Sequence, residues 1–285
     1  QKACTSESGY SFGGLFDHIA SRFASDIKLV TLENTVIATD KLTDVNIPQD
    51  ALTALASNGV NTICTGFDGI LNGGIDGLSA TIEAMKAAQI SAYGTYTSAE
   101  NRKRPMTLTI DGLTLAFLSY QGDLTSTGKK QTTQEEQAFA IAPVTLPTIA
   151  TDILSARASG AQIVVVSLCW GKSGATEPTS TQRELAQGIA DAGADVILGT
   201  HSQAVQTVEM LTGTRSDGST HDVLCAYSLG NLLHSDREKR TSISGLLLHV
   251  GMTFDYSTDR LTFDALSYTP TYVWRGKENG KTAYR

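Results

Sequence analysis

The chain has 285 residues and a formal net charge of -7, and 41% of its residues are hydrophobic. This apolar content is enough for a substantial core and excludes a disordered chain. The longest basic cluster is the segment "NRKR" at residues 101–104, so the basic face that nucleic-acid binding requires is missing and no nucleic-acid partner is expected. No apolar run reaches the roughly 18 residues of a membrane-spanning helix.

The first half of the chain predicts alternating helices and strands. Apolar spacing predicts helices over residues 11–23, 49–59 and 75–89, and strands over residues 27–33, 60–66 and 90–94. Two β runs at residues 106–120 are joined by Asp111 and Gly112, a pair that favours a tight hairpin turn. The polar segment that follows, residues 120–137, is predicted to be a surface loop or insertion.

The second half continues the alternation and then becomes all-β. Helices are predicted at residues 146–160 and 179–193, and strands at residues 161–171, 194–199, 204–211, 222–231, 242–254 and 260–275. No linker-like stretch divides the chain, so we predict one α/β domain over residues 1–285. Parallel units early and antiparallel strands late favour two sheets packed face to face, with helices outside.

Polar residues follow several of the predicted strands. They are Glu33, Asp68 with Asn72, Cys169, His201 and Asn231. Residues at the ends of neighbouring strands converge in space, so the sequence predicts a functional cleft there. A two-metal hydrolase would need imidazole, carboxylate and amide ligands around ions ~3.5–4 Å apart. The chain supplies the carboxylates and amides but a single imidazole, that of His201. Residue 203, where a second histidine would complete the pair, is a glutamine.

Five segments carry a resemblance to a known family. "TLENTV", "GFDGILNGG", "VVVSLCWG", "GTHSQ" and "YSLGNLL" occur in this order, and residues 12–274 resemble the capsule-synthesis CapA family. The resemblance implies a metallophosphoesterase-like fold, a four-layer α/β/β/α sandwich with two mixed sheets, whose first family strand is expected to be missing here. It also implies poly-γ-glutamate capsule biosynthesis, an extracellular or cell-surface location, and a membrane tether outside this segment in the full-length protein.

The resemblance further implies that several metal-ligand positions are substituted. The family's A-N-N-H is G-F-D-G at residues 66–69, its H-W-G is C-W-G at residues 169–171, and the second histidine of its late loop is Gln203. Glu33 and the S-L-G-N element that ends at Asn231 are kept. Since divalent transition metals prefer nitrogen donors, three lost imidazoles predict a degenerate metal centre.

The first functional hypothesis is a cell-surface capsule protein that has no resident cofactor. It would bind an anionic capsule polymer, or the machinery that makes it, at the old cleft. Its predicted binding residues are Glu33, Asn72, Trp170, Gln203 and Asn231; Trp170 is included because an indole beside a cleft can stack on a ligand.

The second hypothesis is an active metal-dependent phosphoesterase-like or amide hydrolase with an altered ligand set. Glu33, Asp68 and His201, together with Asn231, would then hold Mn, Zn or Fe, and His201 and Asp68 would be catalytic. Cys169 as a nucleophile is disfavoured because the sequence offers neither a base nor a cause for a lowered thiol pKa. A purely structural extracellular module is a third class. The sequence favours the first hypothesis and leaves enzymatic activity open.

Overall fold

A computed structural model describes residues 5–6, 9–10, 12–36, 46–234, 239–278 and 281–284. Within them the α-helices are α1 (Gln49–Ser57), α2 (Gly74–Ala87), α3 (Ala99–Arg102), α4 (Ser126–Gln131), α5 (Gln134–Ala140), α6 (Leu146–Ala158) and α7 (Ser180–Asp191). The strands are β1 (Thr5–Ser6), β2 (Gly9–Tyr10), β3 (Leu29–Thr31), β4 (Thr35–Val36), β5 (Asn46–Ile47), β6 (Thr62–Cys64), β7 (Ser91–Tyr93), β8 (Met106–Ile110), β9 (Leu113–Gln121), β10 (Ile163–Cys169), β11 (Val196–Thr200), β12 (Val208–Thr214), β13 (Thr220–Ala226), β14 (Ser244–Asp255), β15 (Arg260–Tyr272), β16 (Arg275–Glu278) and β17 (Lys281–Tyr284). None of the helices in these ranges has the length and apolar character needed to span a membrane.

The largest sheet has six strands in the order β12-β13-β11-β10-β9-β8. Its four inner strands are parallel, and the two outer strands, β12 and β8, run antiparallel to their neighbours. Every residue of the central strand β10 is buried, as expected of a parallel strand that is covered on both faces. This sheet is mixed, as predicted.

The predicted hairpin is confirmed as β8 and β9, which pair from Met106 with Phe117 to Ile110 with Leu113. Asp111 and Gly112 between them have φ angles of 50° and 82°. A two-residue turn of this type needs positive φ at both positions, and aspartate followed by glycine tolerates this best.

A second sheet contains β3, β6 and β7 in that order, and these strands are all parallel. The sequence predicted that both sheets would be mixed, and in its described strands this one is not. Each of its strands is joined to the next by a segment that contains a helix, α1 or α2, and a crossover connection of this kind makes neighbouring strands parallel.

Three apolar clusters show how the layers stack. Helices α6 and α7 pack on the outer face of the six-stranded sheet, and α1 and α2 pack on the outer face of the three-stranded sheet. A third cluster lies between the sheets. In it, Tyr93 of the three-stranded sheet contacts Phe117 of the six-stranded sheet, with ring centroids 5.3 Å apart. The predicted four-layer α/β/β/α sandwich is therefore confirmed.

Two local predictions were wrong. Residues 12–23 form turns and one short 3-10 helix, Ala20–Arg22, instead of the helix predicted over residues 11–23, of which residue 11 lies outside the described part. Gly14 has a φ of +76°, which an α-helix does not allow. The segment predicted as a surface loop, residues 120–137, begins with the end of β9 and contains two short helices, α4 and most of α5.

Threonine caps explain those two helices. The side chain of Thr125 accepts a hydrogen bond from the Gly128 amide at 3.0 Å. Thr133 and Glu136 form a reciprocal capping box at the start of α5, which satisfies backbone amides that a short helix would otherwise leave unpaired. Leu124, just before α4, is buried in an apolar cluster with residues from α2, so this segment is packed against the sheet edge.

A buried ion pair fixes the start of β11. Asp195 is 2% exposed, and its carboxylate accepts hydrogen bonds from the Arg157 guanidinium at 2.5 Å and from the Val164 amide at 2.7 Å. Arg157 also donates to the Gly193 carbonyl at 2.7 Å. The pair therefore ties the end of α6 to the first residues of β10 and β11.

Replacing Asp195 by alanine leaves Arg157 without its charge partner and the Val164 amide without an acceptor. We expect Asp195→Ala to lower the free energy of unfolding by about 3 kcal/mol, measured by urea denaturation. The control is Arg104→Ala, which removes an exposed pair with Glu100 and should cost less than about 0.5 kcal/mol. Equal losses in the two variants would contradict the role given to Asp195.

Candidate functional site

Four of the predicted site residues come together at one edge of the sandwich. Glu33 and Asp68 follow β3 and β6 of one sheet, while Cys169 ends β10 and His201 follows β11 of the other. The Glu33 carboxylate accepts a hydrogen bond from the His201 backbone amide, and its pKa responds to the side chains of His201 and Asp68. The Cys169 thiol in turn accepts a hydrogen bond from the Asp68 backbone amide. The convergence predicted from the strand ends is present.

Asp68, Cys169 and His201 border a cleft of about 510 Å³, which is within the usual range for small-molecule sites. Its lining residues are Asp68, Gly122, Asp123, Leu124, Thr125, Val144, Cys169, Trp170, Gly171 and His201. Leu124 and Val144 contribute apolar surface to this lining, whereas Asp68, Asp123 and Thr125 contribute two carboxylates and a hydroxyl. The cleft can therefore contact both methylene groups and polar groups of a ligand.

Burial dominates the electrostatics of Glu33. Desolvation raises the pKa of its carboxyl above the ordinary value, the charge of Asp68 raises it further, and His201 and His234 act in the opposite direction. Cys169 is affected more strongly. Burial, followed by the nearby charges of Glu33 and Asp68, raises its pKa to about 12. At neutral pH the free thiol therefore stays protonated, which makes it a poor nucleophile.

The loop that carries His201 has an unusual backbone. His201 has a φ of 83° and Gln203 a φ of 56°, and positive φ values are uncommon for residues other than glycine. The Ser202 hydroxyl braces the loop by donating to the Ala204 carbonyl at 2.8 Å. Asn231 supports it from the side, because its side-chain amide donates to the Ser242 carbonyl at 2.7 Å and to the Gln203 carbonyl at 3.5 Å. Asn231 thus holds the backbone at the sheet edge.

Of two further candidates, Trp170 lines the cleft and Asn72 contacts the lining residue Thr125. The Asn72 side-chain carbonyl accepts a hydrogen bond from the Thr125 hydroxyl, which joins the turn after β6 to the start of α4. Trp170 is 6% exposed, stacks on Tyr227 with ring centroids 5.6 Å apart, and donates its indole N–H to the Tyr227 carbonyl at 3.1 Å. One face of the indole is thus already covered by protein. Roles of Asn72, Trp170, Gln203 and Asn231 in ligand binding remain predictions.

Gly199 has a steric role beside this tryptophan. A β-carbon at this position would overlap the Tyr227 carbonyl and the Trp170 indole nitrogen. The strand that leads to His201 can therefore approach Tyr227 closely only without a side chain at residue 199.

The sequence analysis did not identify two parts of this site. His234 affects the pKa of Glu33, and its position three residues after Asn231 is the signal that could have indicated it. The residues from Gly122 to Thr125 line the cleft, although their segment was predicted to be a surface loop. Their proximity depends on the packing of Leu124, which the polar composition of the segment concealed.

The donors present do not match a two-metal centre. Among the described residues, no group of three or more His, Cys, Asp or Glu side chains is arranged to hold a metal ion. Glu33, Asp68 and His201 offer one imidazole and two carboxylates, and Cys169 adds one thiol. Zinc and similar ions are usually held by more nitrogen or thiolate donors than this set supplies.

The raised pKa of Glu33 gives a stability prediction with a definite sign. The folded protein binds this proton more tightly than the unfolded chain, so the associated stabilisation is fully present below the ordinary pKa of 4.5 and is lost as the pH rises through the folded-state pKa. Glutamine cannot ionise but can still accept from the His201 amide. We therefore expect Glu33→Gln to be more stable than the wild type at about pH 8, with a smaller gain at about pH 4.

Urea denaturation at both pH values measures this difference. Glu83→Gln, on the exposed face of α2, makes the same chemical change away from the cleft and should alter stability by less than about 0.5 kcal/mol at either pH. A destabilised Glu33→Gln protein at the higher pH would show that the Glu33 charge supports the fold.

Comparisons with known proteins agree with the motif order. Residues 1–236 match the model of the family described as "Bacterial capsule synthesis protein PGA_cap". The chain is 24% identical over 232 residues to the PGA biosynthesis protein CapA of Bacillus subtilis (strain 168), which covers 81% of this chain and 57% of that protein. It is 23% identical over 231 residues to the capsule biosynthesis protein CapA of Bacillus anthracis, with 81% and 54% covered. The chain therefore spans just over half the length of these curated relatives.

Among solved structures, the chain is similar to the NAD nucleotidase NadN of Haemophilus influenzae, with a TM-score of 0.49 and 14% identity over 83% of this chain and 45% of that one. This likeness is too distant to support a function. The family match, by contrast, extends over most of the chain, and the protein belongs to the bacterial capsule synthesis protein PGA_cap family.

Proposed function

We propose that this protein is a binding component of capsule biosynthesis. It holds a segment of an anionic γ-linked glutamate polymer, or a partner from the machinery that makes the polymer, in the cleft at the strand ends. Membership of the capsule synthesis family supports a capsule-related role. Since a capsule surrounds the cell, we also infer an extracellular or cell-surface location, with a membrane tether outside this segment in the full-length protein.

The observation that carries the proposal is a cleft at the strand ends whose lining contains few nitrogen donors. Loops from both sheets still converge on Glu33, Asp68 and His201, but His201 is the single imidazole among the lining residues. A cleft of this kind can bind a ligand without activating a metal-bound water, and we infer a degenerate metal centre.

The rim of the cleft supports an anionic ligand. We use the term rim lysines for Lys129, Lys172 and Lys239. Lys129 lies 2.6 Å from the Asp123 carboxylate, and Lys172 is exposed immediately after Gly171, a lining residue. The Lys239 ammonium lies 3.3 Å from where a β-carbon on Gly174 would be.

These lysines have a definite position relative to the site. The Gly174 amide donates to the Ser202 carbonyl at 2.7 Å, so the segment next to Lys239 borders the His201 loop. Lys172 and Lys239 can therefore pair with carboxylates of a polymer. The apolar wall formed by Leu124 and Val144 can meanwhile cover the methylene groups between them.

The competing function is a metal-dependent hydrolase with an altered ligand set. It is favoured by the proximity of Glu33, Asp68 and His201, which arrive from three different strand ends. Metal content distinguishes the two functions. We expect protein purified without chelators to contain far less than one equivalent of zinc, manganese or iron by elemental analysis. Stoichiometric metal that is lost in His201→Ala would establish the hydrolase instead.

Binding of the polymer can be tested through the rim lysines. We expect the Lys172→Gln and Lys239→Gln double variant to bind γ-linked glutamate oligomers about tenfold more weakly at about 50 mM salt, since each exposed ion pair contributes up to about 1 kcal/mol. The difference should shrink at about 500 mM salt because screening weakens exposed pairs. Titration calorimetry measures both affinities.

Lys86→Gln provides the matched control. Lys86 is exposed in the last turn of α2, at the opposite end of that helix from the cleft, and its loss should leave affinity unchanged. Equal binding by the double variant and the wild type would exclude Lys172 and Lys239 as the polymer contact.

A further inference from the structure

The long hairpin of β14 and β15 leaves one of its edges unpaired. β14 pairs with β15 on one side, and on its other side the Leu246 amide donates to the Leu229 carbonyl at 2.8 Å. Alternate residues of an antiparallel strand point their backbone groups to opposite edges. Pro270, which is in register with Leu246, therefore faces away from β14, and so do Tyr268 and Leu266. Within the described residues no strand pairs with this edge of β15.

The free edge has a defined length. Pro270 closes it at one end, because proline has no N–H and is found in sheets where this group would face no partner. At the other end the register shifts at Asp264, which has no opposite residue on β14. A bulge of this kind bends the strand and interrupts regular pairing. The regular free edge therefore covers residues 265–269, and it offers the N–H and C=O groups of Leu266 and Tyr268 to a further strand.

The side chains along this edge are apolar and exposed. Leu266 and Tyr268 are 49% and 67% exposed. They are in register with Val250 and Leu248 of β14, so the four side chains lie on one face of the hairpin. Further along β14, Met252 on the same face packs against the cluster between the two sheets. This face is therefore part of the core at one end and exposed to solvent at the other.

The six-stranded sheet is also open on this side. β15 lies beside β13, and β12 is the edge strand next to β13. Met210 of β12 is in register with Leu224, which is in register with Val196 of the inter-sheet cluster. Met210 therefore points to the inter-sheet side, and it is 43% exposed. The exposed apolar side chains on this side of the molecule, which we call the open flank, are Met210, Leu266, Tyr268 and Tyr272.

The charges around the open flank favour a second copy of this chain as its partner. Residues 265–272 contain no charged side chain, although the whole chain has a net charge of -7, so the flank attracts neither an acidic nor a basic surface. The turn of the hairpin carries Asp255, Asp259, Arg260 and Asp264, and its opposite end is flanked by Arg240, Arg275 and Lys277. When two copies lie antiparallel, the acidic end of each hairpin lies towards the basic end of the other.

The apolar area is of the order that a small dimer interface needs. Tyr268 and Tyr272 are 67% and 58% exposed, which corresponds to roughly 250 Å² for side chains of about 150–250 Å² each. Leu266 and Met210 add to this area. The apolar part of a standard homodimer interface is about 500 Å² on each partner. The four side chains therefore supply more than half of it, which indicates a weak dimer.

We propose that the protein forms a two-fold symmetric dimer in which β15 pairs antiparallel with β15 of a second copy, with the axis at Ser267. Leu266 of each copy then lies opposite Tyr268 of the other, and their free N–H and C=O groups form hydrogen bonds across the axis. Pro270 and Asp264 lie equally far from Ser267, so the pairing ends where Pro270 of one copy reaches the bulge of the other. This contact uses the edge completely and closes the assembly at two copies. It does not depend on what the cleft binds.

Self-association of the wild type is the first test. Sedimentation equilibrium at about 1–200 µM should show monomers and dimers with a dissociation constant on the order of 10 µM, since the interface is at the small end of the specific range. A wild type that stays monomeric at every concentration would overturn the inference and leave the open flank to another protein. Assembly beyond dimers would overturn the two-fold contact, which is closed.

The second test places like charges across the proposed axis. In the Leu266→Lys and Tyr268→Lys double variant, each lysine lies opposite a lysine of the other copy, and edge lysines also block strand pairing. We expect the dissociation constant to rise at least about thirtyfold. The control, Leu154→Lys with Tyr256→Lys, makes the same changes at exposed positions on α6 and on the hairpin turn, and it should dimerise like the wild type. Equal dimerisation of the two double variants would overturn the inference.

Hydrogen exchange of the wild type gives a readout that needs no variant, and it decides the question if the lysine variant does not fold. We expect the amides of Leu266 and Tyr268 to exchange at least about tenfold more slowly at about 200 µM than at about 1 µM, because pairing protects them. The amide of Gly112, in the turn at the opposite edge of the six-stranded sheet, should exchange equally at both concentrations. A dimer in which the Leu266 and Tyr268 amides gain no protection would have its interface elsewhere, and the inference would be wrong.

Discussion

The fold depends on the burial of β10 between two layers. Each of its residues is buried, because α6 and α7 cover one face of the sheet and the three-stranded sheet covers the other. Parallel strands in this environment satisfy their backbone through their neighbours, so the chain can expose polar groups only where the strands end. The same constraint that builds the core therefore also determines where the site lies.

Several groups at that edge of the sheets are in energetically unfavourable states. Glu33 is buried enough for its pKa to rise although a backbone amide and two histidines act in the opposite direction. Gln121 is buried, and neither of its side-chain polar atoms has a partner within the described part of the chain. His201 adds a backbone with a φ of 83°. Unfavourable local conformations and unsatisfied groups tend to cluster at functional sites, because the surrounding structure can hold them there. Their concentration at one edge supports a ligand site more strongly than any one residue does.

Local patterns in the sequence were sufficient to predict most of the helices and strands. The Asp111-Gly112 turn, the apolar run of β10 and the spacing in α1 each encode one structure. The helix predicted over residues 11–23 failed because helical spacing there contained Gly14, whose φ of +76° belongs to a turn. The prediction of a surface loop over residues 120–137 was wrong for the opposite reason. Two threonine caps and one buried leucine give this polar segment a regular structure.

The site was predictable only in part, for a physical reason. Glu33, Asp68 and His201 could be found because each stands directly after an apolar run. Gln121 could not, because the importance of a polar residue at the end of β9 depends on its register with Cys169 and on the burial of its carboxamide. Both are properties of strand pairing across distant parts of the chain. The sequence therefore reveals the polar strand ends, but it does not reveal the row of buried polar side chains, Gln121, Cys169 and Thr200, that strand pairing brings into register behind them.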